Sequence, residues 1–223
     1  MEADERPPCG GFRLSAANPF DALIFDLGGV IVSHDNAVLG ERLLSRCAPG
    51  TSEAALRAIG EAEEYGTGAP IASLHRRLVD ELGYSGDWET FGADWCCHLA
   101  IDPAMLAFVE ALARRNRVLI FSNTNAEHWE FLLLASDGRL AAFEAYLSHE
   151  IGQLKPSPAA FLHVARAAGL EPTRSIFFDD RQDNVEGARA AGFQAEVFIG
   201  KAALRERLRD EGVIWEDGSA LTV

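Results

Sequence analysis

The sequence predicts an α/β fold: a parallel β-sheet between two layers of helices, with a helical unit inserted behind the first strand. Three observations carry this. Short apolar runs of strand length alternate with stretches of helical periodicity, which implies a parallel sheet covered on both faces. The stretch 33–101 breaks that alternation and reads as helical throughout. The 223-residue length is about one and a half times that of a usual domain, which suits one core carrying a large insertion.

Taken in order, residues 1–19 read as a polar, Pro- and Gly-bearing tail without an apolar signal core. The first strand is expected over 22–25, ending on Asp26, Gly28 and Gly29. Within the insertion, 36–47, 52–65, 70–82 and 87–100 have helical spacing, broken at "YGTGAP" and "GYSGD". A helix over 103–115 follows, with Pro103 in its first turn, then a strand over 118–121 and a helix over 126–135. Strands over 145–148, 175–178 and 195–199 alternate with helices over 158–168, 184–191 and 202–210; Gly169 and Gly192 stand where helix C-caps belong. The expected division is a tail at 1–19, a core made of 20–32 and 102–223, and a helical cap domain at 33–101.

Composition excludes some functions. Hydrophobic residues make up 48% of the chain, enough to fill a core. With 34 acidic and 20 basic residues the formal charge is −14, and such a surface repels nucleic-acid phosphates and anionic lipid. Neither nucleic acid nor membrane is expected as a partner. No run reaches the length of about 18 apolar residues that suggests a membrane span, so the reading is cytoplasmic. Cys9, Cys47, Cys96 and Cys97 lack metal-site spacing and read as reduced thiols. Nothing in the pattern specifies an oligomeric state.

In a parallel sheet, side chains at the C-terminal strand ends converge on one crevice. Asp26 follows the first strand, Ser122 and Asn123 the second. Lys155 follows the third; Asp179 and Asp180 follow the fourth. Two neighbouring carboxylates repel unless a cation separates them, and Mg²⁺ prefers a couple of carboxylates plus water and phosphate. Asp26 with Asp180 is therefore the expected Mg²⁺ pair. Lys155 supplies a point charge for phosphate, and Ser122, Asn123 and backbone N–H groups supply hydrogen bonds. Asp26 is placed to attack phosphorus as a carboxylate nucleophile. Asp183 is read as a helix cap rather than a ligand.

These positions resemble the haloacid dehalogenase superfamily, in its Mg²⁺-dependent phosphatase branch with a helical cap and a Rossmann-like core. "FDLGGV" is similar to the first motif, "FSNTN" to the second, Lys155 in "GQLKPSP" to the third and "FFDDRQDN" to the fourth. The resemblance implies Asp26 as nucleophile and metal ligand, the Gly28 carbonyl and Asp180 as further ligands, Asn184 behind them, and Asp179 as an additional candidate. It implies Ser122, Asn123 and Lys155 as the phosphate holders, and a small phosphorylated metabolite, such as a sugar phosphate, as substrate. One departure stands out. Most phosphatases of this kind carry a second aspartate two residues after the nucleophile, to protonate the leaving oxygen, and here that position is Gly28. General acid–base help is worth about 10²–10⁴ in rate, so alkyl phosphates are expected to react slowly unless His34, Asp35, Asn125 or His128 carries the proton. Two rival readings remain: a metal-independent 2-haloacid dehalogenase, and a catalytically silent module that binds a phosphorylated ligand or a protein.

Overall fold

The computed structural model describes residues 19–60 and 63–215; the expected tail, apart from Pro19, and Cys9 with it, lie outside them. The chain begins with β1 (Ala22–Phe25), then β2 (Val32–His34). Five helices follow: α1 (Asn36–Leu44), α2 (Glu53–Gly60), α3 (Glu63–Gly66), α4 (Ile71–Leu82) and α5 (Trp88–Cys96). Next come β3 (Leu99–Ile101), α6 (Pro103–Ala113), β4 (Val118–Ser122) and α7 (Ala126–Ala135). The remainder is β5 (Glu144–Leu147), α8 (Ser148–Ile151), α9 (Pro158–Ala168), β6 (Ser175–Asp179), α10 (Gln182–Ala190), β7 (Gln194–Val197) and α11 (Lys201–Asp210).

Five strands form one sheet in the order β5-β4-β1-β6-β7, every pair parallel. β1 is central and wholly buried. Because successive strand side chains point to opposite faces, it feeds two cores. Leu23 and Phe25 join Ile120, Ile176 and Phe178 under Val109 of α6 and Leu208 of α11. Ala22 and Ile24 join Leu119, Phe121 and Phe177 under Phe161 of α9 and Val185 of α10. Each such aromatic or branched side chain contributes about 1.5–3 kcal/mol on burial. The α/β, three-layer expectation holds.

Sequence chemistry sets the helix ends. The Asp102 carboxylate accepts from the Ala104 and Met105 N–H groups ahead of Pro103 at N1. Gly169 adopts φ 62 and closes α9. α10 packs so closely on the loop after α8 that a Cβ on Gly187 would lie 2.0 Å from the Pro156 carbonyl oxygen. That approach brings Asn184 up to the sheet edge.

The insertion is not helical throughout. β2 and β3 pair antiparallel, Val32 opposite Ile101 and His34 opposite Leu99. Here the chain leaves and re-enters the core, and two adjacent crossings satisfy each other's backbone groups. The helix expected through 100 therefore stops at Cys96, with Cys97 as its cap. Helices α1, α2, α4 and α5 share a third apolar cluster, including Leu43, Leu56, Leu74, Leu78, Phe91 and Trp95. Its buried carboxylate, Asp94, is compensated by the Arg46 Nε at 2.6 Å and the Tyr84 hydroxyl at 2.7 Å. Among the described residues no helix is long and apolar enough to cross a membrane.

Candidate active site

The strand ends of β1, β4 and β6 and the loop before α9 meet at one point. Asp26, one residue past β1, is held by its own N–H donating to the Phe178 carbonyl at 2.9 Å, and its Oδ1 accepts the Leu27 N–H at 2.7 Å. The Lys155 Nζ lies 2.9 Å from that same Oδ1 and 2.7 Å from the Asp179 Oδ2, and it donates to the Phe121 carbonyl at 3.0 Å. Its side chain is fully buried. An ammonium has three protons, and each has an acceptor here.

The adjacent aspartates differ in their surroundings. Asp179 is fully buried. Its oxygens accept from Lys155, from the Asn184 Nδ2 at 3.0 Å twice and from the Arg181 N–H at 2.9 Å. Asp180 is exposed and rests against Gly29, where a Cβ would meet its Cγ and Oδ2 at 2.2 Å. Asp183 pairs with Arg181 at 2.7 Å on the surface, away from a ligand role.

Asp26, Asp179 and Asp180 each present an oxygen, all within 4.8 Å of one another. Burial pushes the Asp26 carboxyl up to about 6; Lys155 opposes the shift and the Asp179 charge adds to it. Asp180 is raised too, by burial and then by Asp179. Three carboxylates face one ammonium, so the cluster is short of positive charge. An oxygen-only, partly desolvated donor set of this kind fits a hard divalent cation.

Ser122 ends β4, buried, on the wall of a cavity of about 170 Å³ shared with Gly28 and His34. Asn123 is placed differently from the expectation. Its Nδ2 donates to the Lys155 carbonyl at 2.8 Å and its Oδ1 accepts the Lys155 N–H at 2.9 Å. The side chain thus fixes the lysine loop, and its backbone N–H is what remains for an anion. Ser148 was not singled out by sequence. Its hydroxyl takes the Thr124 N–H at 2.9 Å and donates to the Thr124 carbonyl at 3.1 Å, steadying the same loop; its place directly after β5 is the same strand-end signal that marks Asp26 and Ser122.

The four candidate proton carriers separate cleanly. Asp35 caps α1 and Asn125 caps α7. The half-buried His128 ring lies between the Asn125 Nδ2 at 3.3 Å and the Trp95 carbonyl at 3.2 Å; desolvation, with His98 adding, pushes its pKa down to about 4. His34 alone faces the glycine turn: its Nδ1 is 3.5 Å from where a Cβ on Gly28 would sit.

Residues 20–192 match the model of the haloacid dehalogenase-like hydrolases. A Mycobacterium tuberculosis protein named Phosphatase MT3486 is 35% identical over 56% of this chain, which spans 58% of that relative's length. The D-ribitol-5-phosphate phosphatase of Bacteroides thetaiotaomicron is 26% identical over 77% of this chain and 88% of its own. A haloacid dehalogenase-family enzyme of Bacteroides thetaiotaomicron, crystallised with magnesium and inorganic phosphate, superimposes with a TM-score of 0.71 at 25% identity, covering 92% of this chain and all of the other.

Proposed function

Because the chain belongs to the haloacid dehalogenase-like hydrolases, we propose that it is a Mg²⁺-dependent phosphatase of a small phosphorylated metabolite, working through an aspartyl-phosphate on Asp26. The observation that carries this reading is the buried Asp26 carboxylate beside Asp180 and Asp179, with one ammonium, Lys155, between two of them. The relatives named as phosphatases and the magnesium- and phosphate-bound neighbour support it.

Asp26, Asp180 and the Gly28 carbonyl would hold Mg²⁺, with Asp179 and Asn184 behind them. Bound there, the ion neutralises the carboxylates and lets a phosphate dianion approach. The Lys155 ammonium, expected from the sequence to hold phosphate, has its three protons accepted by Asp26, Asp179 and the Phe121 carbonyl, so it fixes the Asp26 oxygen in place. Ser122 and the Asn123 N–H hold phosphoryl oxygens. The Asp26 oxygen forms a bond to phosphorus as the ester oxygen departs, taking a proton from His34. Water, giving a proton back to His34, then forms a bond to the same phosphorus as the Asp26–phosphorus bond breaks, and hydrogen phosphate leaves with the carboxylate and the His34 proton restored. The helical segment 33–101 acts as the cap that closes over this edge and excludes water.

The test is p-nitrophenyl phosphate hydrolysis with and without Mg²⁺, alongside Asp26→Asn. Turnover is expected only with the metal and only with the aspartate. Activity surviving Asp26→Asn would overturn the proposal. A dehalogenase reading leaves the excess of carboxylate unexplained, and a silent binding module leaves the exposed Asp180 without a role.

A further inference from the structure

Two cavities share a wall at this site. The small one at Gly28, His34 and Ser122 has His98, Asn123, Thr124 and His128 in common with a larger one of about 570 Å³. The larger volume lies within the about 300–1,000 Å³ of ordinary small-molecule sites. Part of its lining is apolar, where α1, α2 and α4 supply Leu39, Leu43, Leu56 and Leu78.

Elsewhere the lining carries hydrogen-bonding groups that the fold does not use. Tyr65 on α3 and Trp95 on α5 are 3% and 5% exposed, and His98, just after α5, is half-buried. The Tyr65 hydroxyl, the Trp95 indole N–H and the His98 Nδ1 are buried atoms without a hydrogen-bond partner among the described residues. The Arg77 guanidinium lies near the Tyr65 oxygen but outside hydrogen-bonding geometry. Buried polar atoms are ordinarily paired, and one left alone costs stability. Three on one cavity, brought there by separate segments, mark a wall built for a ligand. The neighbouring amides are already committed: Asn123 holds the Lys155 backbone and Asn125 holds His128.

The charges are equally selective. Arg57 is the one lysine or arginine among the described lining residues, and it pairs with Glu53 at 2.5 Å, both largely exposed. A second anionic group on the substrate finds no free cation here. An indole N–H only donates, a tyrosine hydroxyl does both, and a neutral imidazole nitrogen does either by tautomer. A hydroxyl both gives and takes, so hydroxyls answer all three groups, whereas an apolar body leaves them stranded.

Resting on the phosphatase reading above, we infer that Tyr65, Trp95 and His98 are specificity residues that bind hydroxyl groups of the substrate, the phosphate monoester of an uncharged alcohol carrying several further hydroxyls. The phosphate sits at Asp26. His98, common to both cavities, takes a hydroxyl near the phosphate; Tyr65 and Trp95, on the larger cavity alone, take those farther along, and the C–H face of the alcohol lies on the leucines. The sugar phosphate suggested by resemblance thereby gains the side chains that recognise it, and phosphorylated acids are excluded.

The test uses the native Mg²⁺-loaded protein. Ribitol 5-phosphate and glucose 6-phosphate are compared with benzyl phosphate and phosphoglycolate, all esters of alkyl alcohols, with p-nitrophenyl phosphate as the activity control. The better of the two hydroxylated esters is expected to lead benzyl phosphate and phosphoglycolate by at least about tenfold in kcat/KM. Tyr65→Phe and Trp95→Phe each remove one hydrogen-bonding group, and the preference for that ester over benzyl phosphate is expected to fall about 3–10-fold in each. The urea midpoint of Tyr65→Phe, without substrate, is expected at or above the native value, because its hydroxyl has no partner to strand. A lower midpoint shows that the hydroxyl is already used by the fold and overturns its assignment. Equal or better turnover of benzyl phosphate or phosphoglycolate, or a preference unmoved in both variants, overturns the inference while leaving the phosphatase reading intact. If p-nitrophenyl phosphate itself is not hydrolysed, the phosphatase reading fails, and calorimetry with the same four esters decides the cavity separately. Tighter binding of a hydroxylated ester upholds the polar wall; equal or weaker binding overturns it.

Discussion

The glycines at 28 and 29 are neighbours with opposite tolerances, and Gly29→Ala tests the metal-site geometry most directly. A Cβ at 29 would lie 2.2 Å from the Asp180 Cγ and Oδ2 and 2.7 Å from Oδ1. Non-bonded heavy atoms sit comfortably at about 3.5–4.0 Å, so the carboxylate must retreat by about 1 Å or more. The φ of 72 at this position adds roughly 1–2 kcal/mol of strain for any residue with a Cβ. Displacing the one exposed carboxylate of the cluster is expected to weaken Mg²⁺ about 10–100-fold, the cost usual for disturbing the support of a metal ligand. At Gly28 a Cβ would meet only the His34 ring, at 3.5 Å, and the backbone lies outside the left-handed region. Gly28→Ala is therefore expected to keep native stability or gain about 0.4–1 kcal/mol. Urea denaturation in chelator measures the strain, and Mg²⁺ titration of p-nitrophenyl phosphate turnover measures the site. Native Mg²⁺ affinity in Gly29→Ala, or damage to stability from Gly28→Ala instead, refutes the assigned contact between the turn and Asp180.

Lys155→Met leaves Asp26 and Asp179 buried without their shared cation, and is expected to cost about 3–5 kcal/mol in urea denaturation. Mg²⁺ should narrow that gap, and a loss under about 1 kcal/mol contradicts the pairing. Because burial raises Asp26 to about 6, protons compete with the metal below that pH. Mg²⁺ affinity by calorimetry should be about tenfold weaker at pH 5 than at pH 7, and a flat profile sinks this account. His34→Gln should slow benzyl phosphate at least about 10²-fold yet barely change p-nitrophenyl phosphate, whose leaving group departs without a proton; equal effects on both remove His34 from the proton path.

The elements and the order of the site were legible along the chain because they are local. The four-residue strand ahead of Asp26, α7 and α9 follow from apolar periodicity and capping residues, and so does the convergence of Asp26, Ser122, Lys155 and Asp179–Asp180 on one edge, once the sheet is parallel. Tertiary structure decided what depends on distant neighbours. Backbone at 32–34 becomes a strand because 99–101 returns beside it, a pairing that helical spacing cannot reveal. Asn123 turns from phosphate toward the Lys155 backbone because two loops dock 32 residues apart in sequence. Asp179 and Asp180 are the same residue type, but Asp179 is the last residue of the fully buried β6, held against Lys155 and Asn184, while Asp180 lies past the strand end, exposed against Gly29. The cavity, too, exists only where leucines from separate helices meet the Trp95–His128 stack. Short-range pattern determines which surfaces each segment can bury; the energy of burying them together determines which polar groups are left free to act.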